Sequence, residues 1–157
     1  MDNMLGKMSE MNSINNFNLR VYGLLIYNNA VLVTDEHRGG VPITKFPGGG
    51  LEKGEGLADG LKREFDEEIN IAVTVNEFYY VNDFLQISSF NPADQLLSFY
   101  YLVSTNQISE IPIATVKRDI KEGEQLFRWV RLSELSIDQF TFPIDKIVCE
   151  MLAVKHT

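Results

Sequence analysis

Residues 48–71 read GGGLEKGEGLADGLKREFDEEINI, with three glycines at one end and Glu64, Asp66, Glu67 and Glu68 crowded at the other. Leu57, Leu61, Phe65 and Ile69 recur every four residues, which predicts an amphipathic helix over 56–70 behind a glycine-rich loop. The acids sit at the unfavourable end of that helix. Carboxylates favour the positive N-terminus of the helix dipole, and like charges at i,i+3 and i,i+4 repel. At about 100° per residue, Glu64, Glu67 and Glu68 form one ridge roughly a quarter turn from the apolar stripe. The stripe can pack on a sheet while the ridge faces a cleft. A divalent cation would reverse the cost of the ridge, and carboxylate oxygens are hard donors suited to Mg²⁺ or Mn²⁺. The competing reading is a solvated acidic helix face, which is what most acidic runs are.

A glycine-rich loop ahead of a helix also raises phosphate binding, but two common patterns fail. A Walker A loop requires Lys and Ser or Thr after its last glycine, whereas Gly54 is followed by Glu55 and Gly56. A dinucleotide fingerprint starting at Gly48 would need glycine where Lys53 stands.

Working outward, residues 19–27 (LRVYGLLIY) predict a buried strand, and Asn28-Asn29 supplies the turn into a second strand over 30–34. A polar loop is expected over 35–42 (DEHRGGVP), then a short strand over 44–46 stopped by Pro47. A β-rich run covers 71–84, and a loop around Pro92 covers 89–95. Strands are predicted over 96–104 (LLSFYYLVS) and 125–132 (QLFRWVRL), with a polar loop over 107–124 between them. Ile144, Ile147, Val148, Met151 and Leu152 follow helical spacing behind Pro143, which suits a first helical turn. The order strands, helix, strands, helix predicts an α/β fold, a mixed sheet covered by helices. Residues 1–16 are polar and Asn-rich and are expected to form a flexible arm ahead of one domain over 17–157.

The chain has 157 residues and a formal net charge of -8. So acidic a balance argues against sequence-independent binding to nucleic acid or to anionic membrane, both of which need clustered Lys and Arg. Small phosphorylated ligands stay open, because a bound cation overrides the global sign. No apolar run approaches the ~20 residues of a membrane span, and the N-terminus has no apolar signal core, so cytoplasm is the default expectation. The one cysteine, Cys149, lies in an apolar helical pattern and reads as a core residue.

One family shares the spacing. Gly49, five residues, Glu55, seven residues and then REFDEEINI from Arg63 to Ile71 resembles the Nudix box, G-x5-E-x7-R-E-U-x-E-E-x-G-U with U bulky and apolar. Asn70 replaces the family's glycine and is the single departure. Asn is the next most tolerant residue for a left-handed helix-ending conformation. The FPGGG at 46–50 is similar to the family's entry into the box, and FRWVRLSEL at 127–135 to its later Trp-containing strand and turn. The likeness spans residues 19–152.

The resemblance implies a Nudix-type α/β/α sandwich and hydrolysis of the pyrophosphate linkage in a small nucleoside diphosphate derivative, using Mg²⁺ or Mn²⁺. Nucleotide-sugar, ADP-ribose-like and nucleoside triphosphate (MutT-like) substrates are all compatible with it. It implies Glu64, Glu67, Glu68 and the Gly49 carbonyl as metal ligands, with Glu64 also first candidate for general base. Arg63 would orient the glutamates by ion pairing, and Glu55 would support the metal site or loop. Glu122 and Glu124, ahead of the Trp-containing strand, are candidates for a further supporting glutamate. His37, Arg38 and Lys45 are candidates for substrate contact from the loop before the box, with Gly48 and Gly50 letting backbone approach the phosphates. Tyr79 or Phe84 would stack on a base. The alternative of a different class is a non-catalytic nucleotide-sensing Nudix domain, which loss of box acids would favour. A homodimer is a family-level expectation only.

Overall fold

In the computed structural model, which describes residues 13–115 and 119–155, the strand Asn16–Tyr27 (β1) organises the rest. It sends Val21 and Leu25 to one side and Tyr22 and Leu24 to the other, and each set joins a separate buried cluster. A strand with both faces covered has no polar side to display, which is why its sequence is almost continuously apolar. Ala30–Arg38 (β2), Val41–Lys45 (β3), Gly48–Gly50 (β4), Thr74–Val81 (β5), Asp94–Ser104 (β6) and Gln125–Arg131 (β7) complete a seven-stranded sheet. The order is β3-β2-β1-β6-β5, with β4 also paired to β1 and β7 to β2. β1 and β6 run parallel and the other pairs antiparallel, so the sheet is mixed.

One helix covers each face. Leu57–Ile69 (α1) places Leu61, Phe65 and Ile69 in the cluster that holds Val21, Leu25 and Phe127. Pro143–Lys155 (α2) places Ile144, Val148, Cys149 and Leu152 against Tyr22, Leu24 and Val33. Each such buried side chain contributes roughly 1.5–3 kcal/mol of apolar transfer. This is the expected α/β/α sandwich. Close approach of α1 requires Gly23, where a Cβ would lie 2.6 Å from the Phe65 ring. Asn70 ends α1 at φ 60°, the left-handed conformation that its replacement of glycine has to tolerate. Cys149 is core, and burial pushes its thiol up to about 11. Among the described residues no helix is long and apolar enough to cross a membrane.

Three stretches differ from expectation. The polar loop over 35–42 is mostly strand, because β2 continues to Arg38, β3 begins at Val41, and only Gly39 and Gly40 turn. Polar residues tolerate the sheet there by pairing across it. Asp35 accepts from Thr44 Oγ1 at 2.6 Å and from Arg128 Nε at 2.6 Å, on the two neighbouring strands. The glycine loop at 48–50 is itself a short strand, laid antiparallel on Arg20, Val21 and Tyr22 of β1. The run over 71–84 is strand only in β5, interrupted by register shifts near Phe78. Residues 1–12 of the expected arm lie outside the described residues, while Asn15 and Asn16 both donate backbone N–H to the Ala93 carbonyl.

Candidate active site

The acidic ridge of α1 lies over β4. Glu64 is buried, and a Cβ added to Gly49 would fall 2.6 Å from its carboxyl carbon. Arg63, next along the helix, gathers the acids. Its Nη1 donates to Glu64 Oε1 and Glu67 Oε2, both at 3.1 Å. Its Nε and Nη2 fork onto Glu55 at 3.0 and 2.7 Å, and Nη2 also reaches the Gly50 carbonyl at 2.9 Å. The Arg63 fork, aided by the Glu52 backbone N–H, holds the Glu55 carboxyl down at about 2. The same bond to Glu55 raises the Arg63 pKa against the opposing effect of burial.

Glu68 turns elsewhere. Gln125 Nε2 donates to Glu68 Oε2 at 3.3 Å and to Glu36 Oε1 at 2.9 Å, linking α1 to β2 through β7. Loss of water around the carboxyl raises the Glu68 pKa. Lys45 and Gln125 oppose that rise, and Glu64 and Glu36 add to it. Hard oxygen donors therefore share one ridge, and the Gly49 backbone meets Glu64 with no side chain between them. Glu64, Glu67, Glu68 and the Gly49 carbonyl supply oxygen donors of the kind a divalent cation takes. Among the described residues no three acidic, histidine or cysteine side chains already form a metal cage. Arg63 and Gln125 hold the carboxylates in other directions.

Beside the ridge, on the α2 face of the sheet, opens a cavity of about 330 Å³. Two-residue periodicity builds its wall from Asn18, Arg20 and Tyr22 of β1, Glu36 and Arg38 of β2, Ile43 and Lys45 of β3, and Leu96, Ser98 and Tyr100 of β6. The start of α2 adds Ile144 and Asp145. Tyr100 Oη donates to Asp145 Oδ1 at 2.5 Å. Burial pushes the Asp145 carboxyl up to about 7, against the Tyr100 bond and the Lys45 and Arg20 charges. At the mouth, the Phe90 ring lies 6.0 Å from that of Phe142 and 4.4 Å from the Arg38 guanidinium.

The structure separates the residues singled out by sequence. Glu55, Arg63, Glu64 and Glu67 form one bonded group, with Gly49 against Glu64 and Glu68 turned to Gln125. Arg38 and Lys45 line the cavity, from strands and not from a loop. Lys45 is buried, its Nζ 3.3 Å from the Gly48 carbonyl and 3.4 Å from Glu36 Oε1. His37 points to the opposite side of β2 from Glu36 and Arg38 and bonds Glu122 at 2.7 Å. Glu122 also accepts from the N–H groups of Gly39 and Gly40, and Glu124 accepts from Lys121 N–H at 2.8 Å. Both glutamates thus have loop and turn partners. Gly48 packs on β1, where a Cβ would strike the Val21 carbonyl, and Gly50 accepts from Arg63. Tyr79 packs on the α2-side core and Phe84 is exposed; neither lines the cavity, whereas Phe90 and Phe142 do. Sequence reasoning missed Arg20, Glu36, Gln125 and Asp145. The available signal for Arg20 was a charged residue inside an otherwise apolar strand.

Comparison with known proteins gives a consistent set of likenesses. The family model described as the NUDIX domain matches residues 17–151. An 8-oxo-dGTP diphosphatase of Haemophilus influenzae is 30% identical over 112 residues, 71% of this chain and 72% of that protein. The solution structure of the E. coli ORF135 protein superposes with TM-score 0.65 at 18% identity, covering 92% of this chain and 94% of the other. A NUDIX hydrolase from Nitrosomonas europaea superposes with TM-score 0.63 at 17% identity, covering 88% of each chain. At such identities the two structural likenesses speak for the fold alone.

Proposed function

The chain belongs to the Nudix family and is a Nudix pyrophosphohydrolase, and from that premise we propose that it splits a small nucleoside di- or triphosphate derivative at phosphorus in a divalent-cation-dependent reaction. The observation that carries this reading is the pressing of the Gly49 backbone onto Glu64 within a ridge of carboxylates beside a cavity. At about 330 Å³ the cavity lies at the small end of ligand pockets, on the order of 300–1,000 Å³, and suits one nucleoside. The nucleoside enters there and its pyrophosphate lies toward α1.

Pyrophosphate concentrates negative charge and repels hydroxide. A divalent cation such as Mg²⁺ or Mn²⁺, when bound, would supply charge neutralisation and a more acidic water for in-line displacement. Glu64, Glu67, Glu68 and the Gly49 carbonyl would hold the cation. Arg63 fixes the positions of Glu64 and Glu67, and Glu55 fixes Arg63. Glu64, buried and adjacent to the backbone of β4, is the group we assign as base. Asp145, with Tyr100 behind it, offers the nucleoside a polar wall deep in the cavity.

The 30% identical relative favours a nucleoside triphosphate over a nucleotide sugar or an ADP-ribose-like compound. The test is turnover of 8-oxo-dGTP, dGTP, ADP-ribose and a nucleotide sugar with Mg²⁺, with Mn²⁺ and with EDTA. Release of a nucleoside monophosphate from at least one compound, only with metal, is expected. Tight binding without turnover by either metal would instead support a nucleotide sensor.

A further inference from the structure

Arg20 stands between the ridge and the cavity, and nothing in the box accounts for it. It lies on β1 directly opposite Gly50, and its Nη1 is 3.5 Å from where a Gly50 Cβ would be. The side chain is only partly exposed and lines the cavity. Among the described residues its one side-chain hydrogen bond runs from Nε to Tyr22 Oη at 3.0 Å. Tyr22 is itself fixed, buried and packed against Tyr100 with ring centroids 5.1 Å apart and the rings tilted by 30°. The bond therefore orients the guanidinium through its inner nitrogen and leaves both terminal nitrogens for another partner.

The position of the guanidinium, opposite Gly50 and in the cavity wall, locates that partner. Burial alone would lower the Arg20 pKa, but Tyr22, Glu64 and Glu68 together raise it. The guanidinium also lowers the pKa of Asp145 at the cavity floor. Arg20 is thus felt by the acids of α1 on one side and by the nucleoside pocket on the other. A planar fork with free terminal donors matches two phosphate oxygens, which an ammonium group cannot match in the same geometry.

We infer that Arg20 is a phosphate-binding residue, gripping the phosphoryl group that joins the nucleoside in the cavity to the part of the substrate lying over α1. The inference rests on the proposed placement of nucleoside and pyrophosphate. Arg20 makes the monophosphate, and not the nucleoside alone, the unit that this half of the site recognises, with or without metal. The competing role is charge balance, in which Arg20 only neutralises Glu64 and Glu68.

The two roles separate in EDTA. Binding of dGMP, deoxyguanosine, dCMP and deoxycytidine to the full chain is measured by calorimetry in EDTA, for wild type, Arg20→Ala, Arg20→Lys and Tyr22→Phe. Wild type should prefer at least one monophosphate to its nucleoside. Arg20→Ala should lose that preference tenfold or more while keeping its nucleoside affinity, and Arg20→Lys should restore part of it. Tyr22→Phe, which frees the fork without removing it, should weaken the preference several-fold and serves if Arg20→Ala fails to fold. A wild type without the preference, or an Arg20→Ala or Tyr22→Phe variant that keeps it in full, overturns the assignment. Metal-dependent turnover by wild type in that case leaves the hydrolase reading standing, so the two failures are distinguishable.

Discussion

A Cβ placed on Gly49 would lie 2.6 Å from the Glu64 carboxyl carbon, closer than non-bonded atoms of this kind approach. Glu64 has little room to retreat, being buried and bonded to Arg63 at 3.1 Å. The backbone of β4 and the carboxylate of α1 therefore share one small volume, which is the basis for the cation site proposed there.

Gly49→Ala should displace Glu64 while leaving the sheet paired. We expect a ten- to hundredfold loss in kcat or in Mg²⁺ affinity, with a stability cost of about 1–3 kcal/mol typical of overpacking. Far-UV circular dichroism and metal titration check this. An alanine variant with unaltered metal affinity and turnover would remove Gly49 from the site.

Among the described residues Arg63 is the one cation bonded to Glu55, Glu64 and Glu67 together. Without it the acids face one another across solvent. Arg63→Ala should lower the melting temperature in EDTA, and added Mg²⁺ should recover more of that loss than it adds to wild type. Equal Mg²⁺-induced shifts in the two proteins would contradict the description of the ridge as an excess of negative charge held by Arg63.

Asp145 gives a pH signature with a definite sign. Its folded-state pKa of about 7 lies above the unfolded value of roughly 3.9, so the folded state binds the extra proton. The associated stability is fully present below about pH 4 and is lost as pH rises toward 7, at roughly 1.4 kcal/mol per pH unit. Asp145→Asn keeps an acceptor for Tyr100 and cannot ionise. The melting temperature of the variant relative to wild type should therefore climb between pH 4 and 7 and level off above. A flat difference over that range would show that Asp145 ionises normally.

Glu122 should matter to the hairpin tip and not to the metal. Its carboxylate accepts from Gly39 N–H at 2.6 Å and from Gly40 N–H at 3.2 Å and pairs with His37, the last of these doing most to lower its pKa. Glu122→Ala should leave kcat and its Mg²⁺ dependence within twofold while speeding proteolysis near residues 119–124. A shifted Mg²⁺ dependence would return Glu122 to the list of metal-supporting residues.

The fold and the ridge were legible because both are written in local periodicity. Leu57, Leu61, Phe65 and Ile69 fix the buried side of α1, and the same geometry lines up Glu64, Glu67 and Glu68. The cavity was not legible, since its wall draws single residues from β1, β2, β3, β6 and α2, far apart in sequence. Polar strand ends misled for a related reason. Asp35 resembles loop composition singly and makes sense only once β2, β3 and β7 lie side by side, where Thr44 and Arg128 donate to it. His37 and Arg38, adjacent in sequence, are both candidates for substrate contact by sequence, and the two-residue period of a strand places them on opposite faces.

The central claim is that the carboxylates of α1 carry metal-dependent hydrolysis. Its most direct test is kcat at saturating Mg²⁺ for Glu64→Gln and Glu67→Gln, measured on whichever nucleotide the wild type turns over and with folding confirmed by circular dichroism. The account predicts a fall of at least a hundredfold for each variant with the fold intact. Turnover equal to wild type in either folded variant would contradict it.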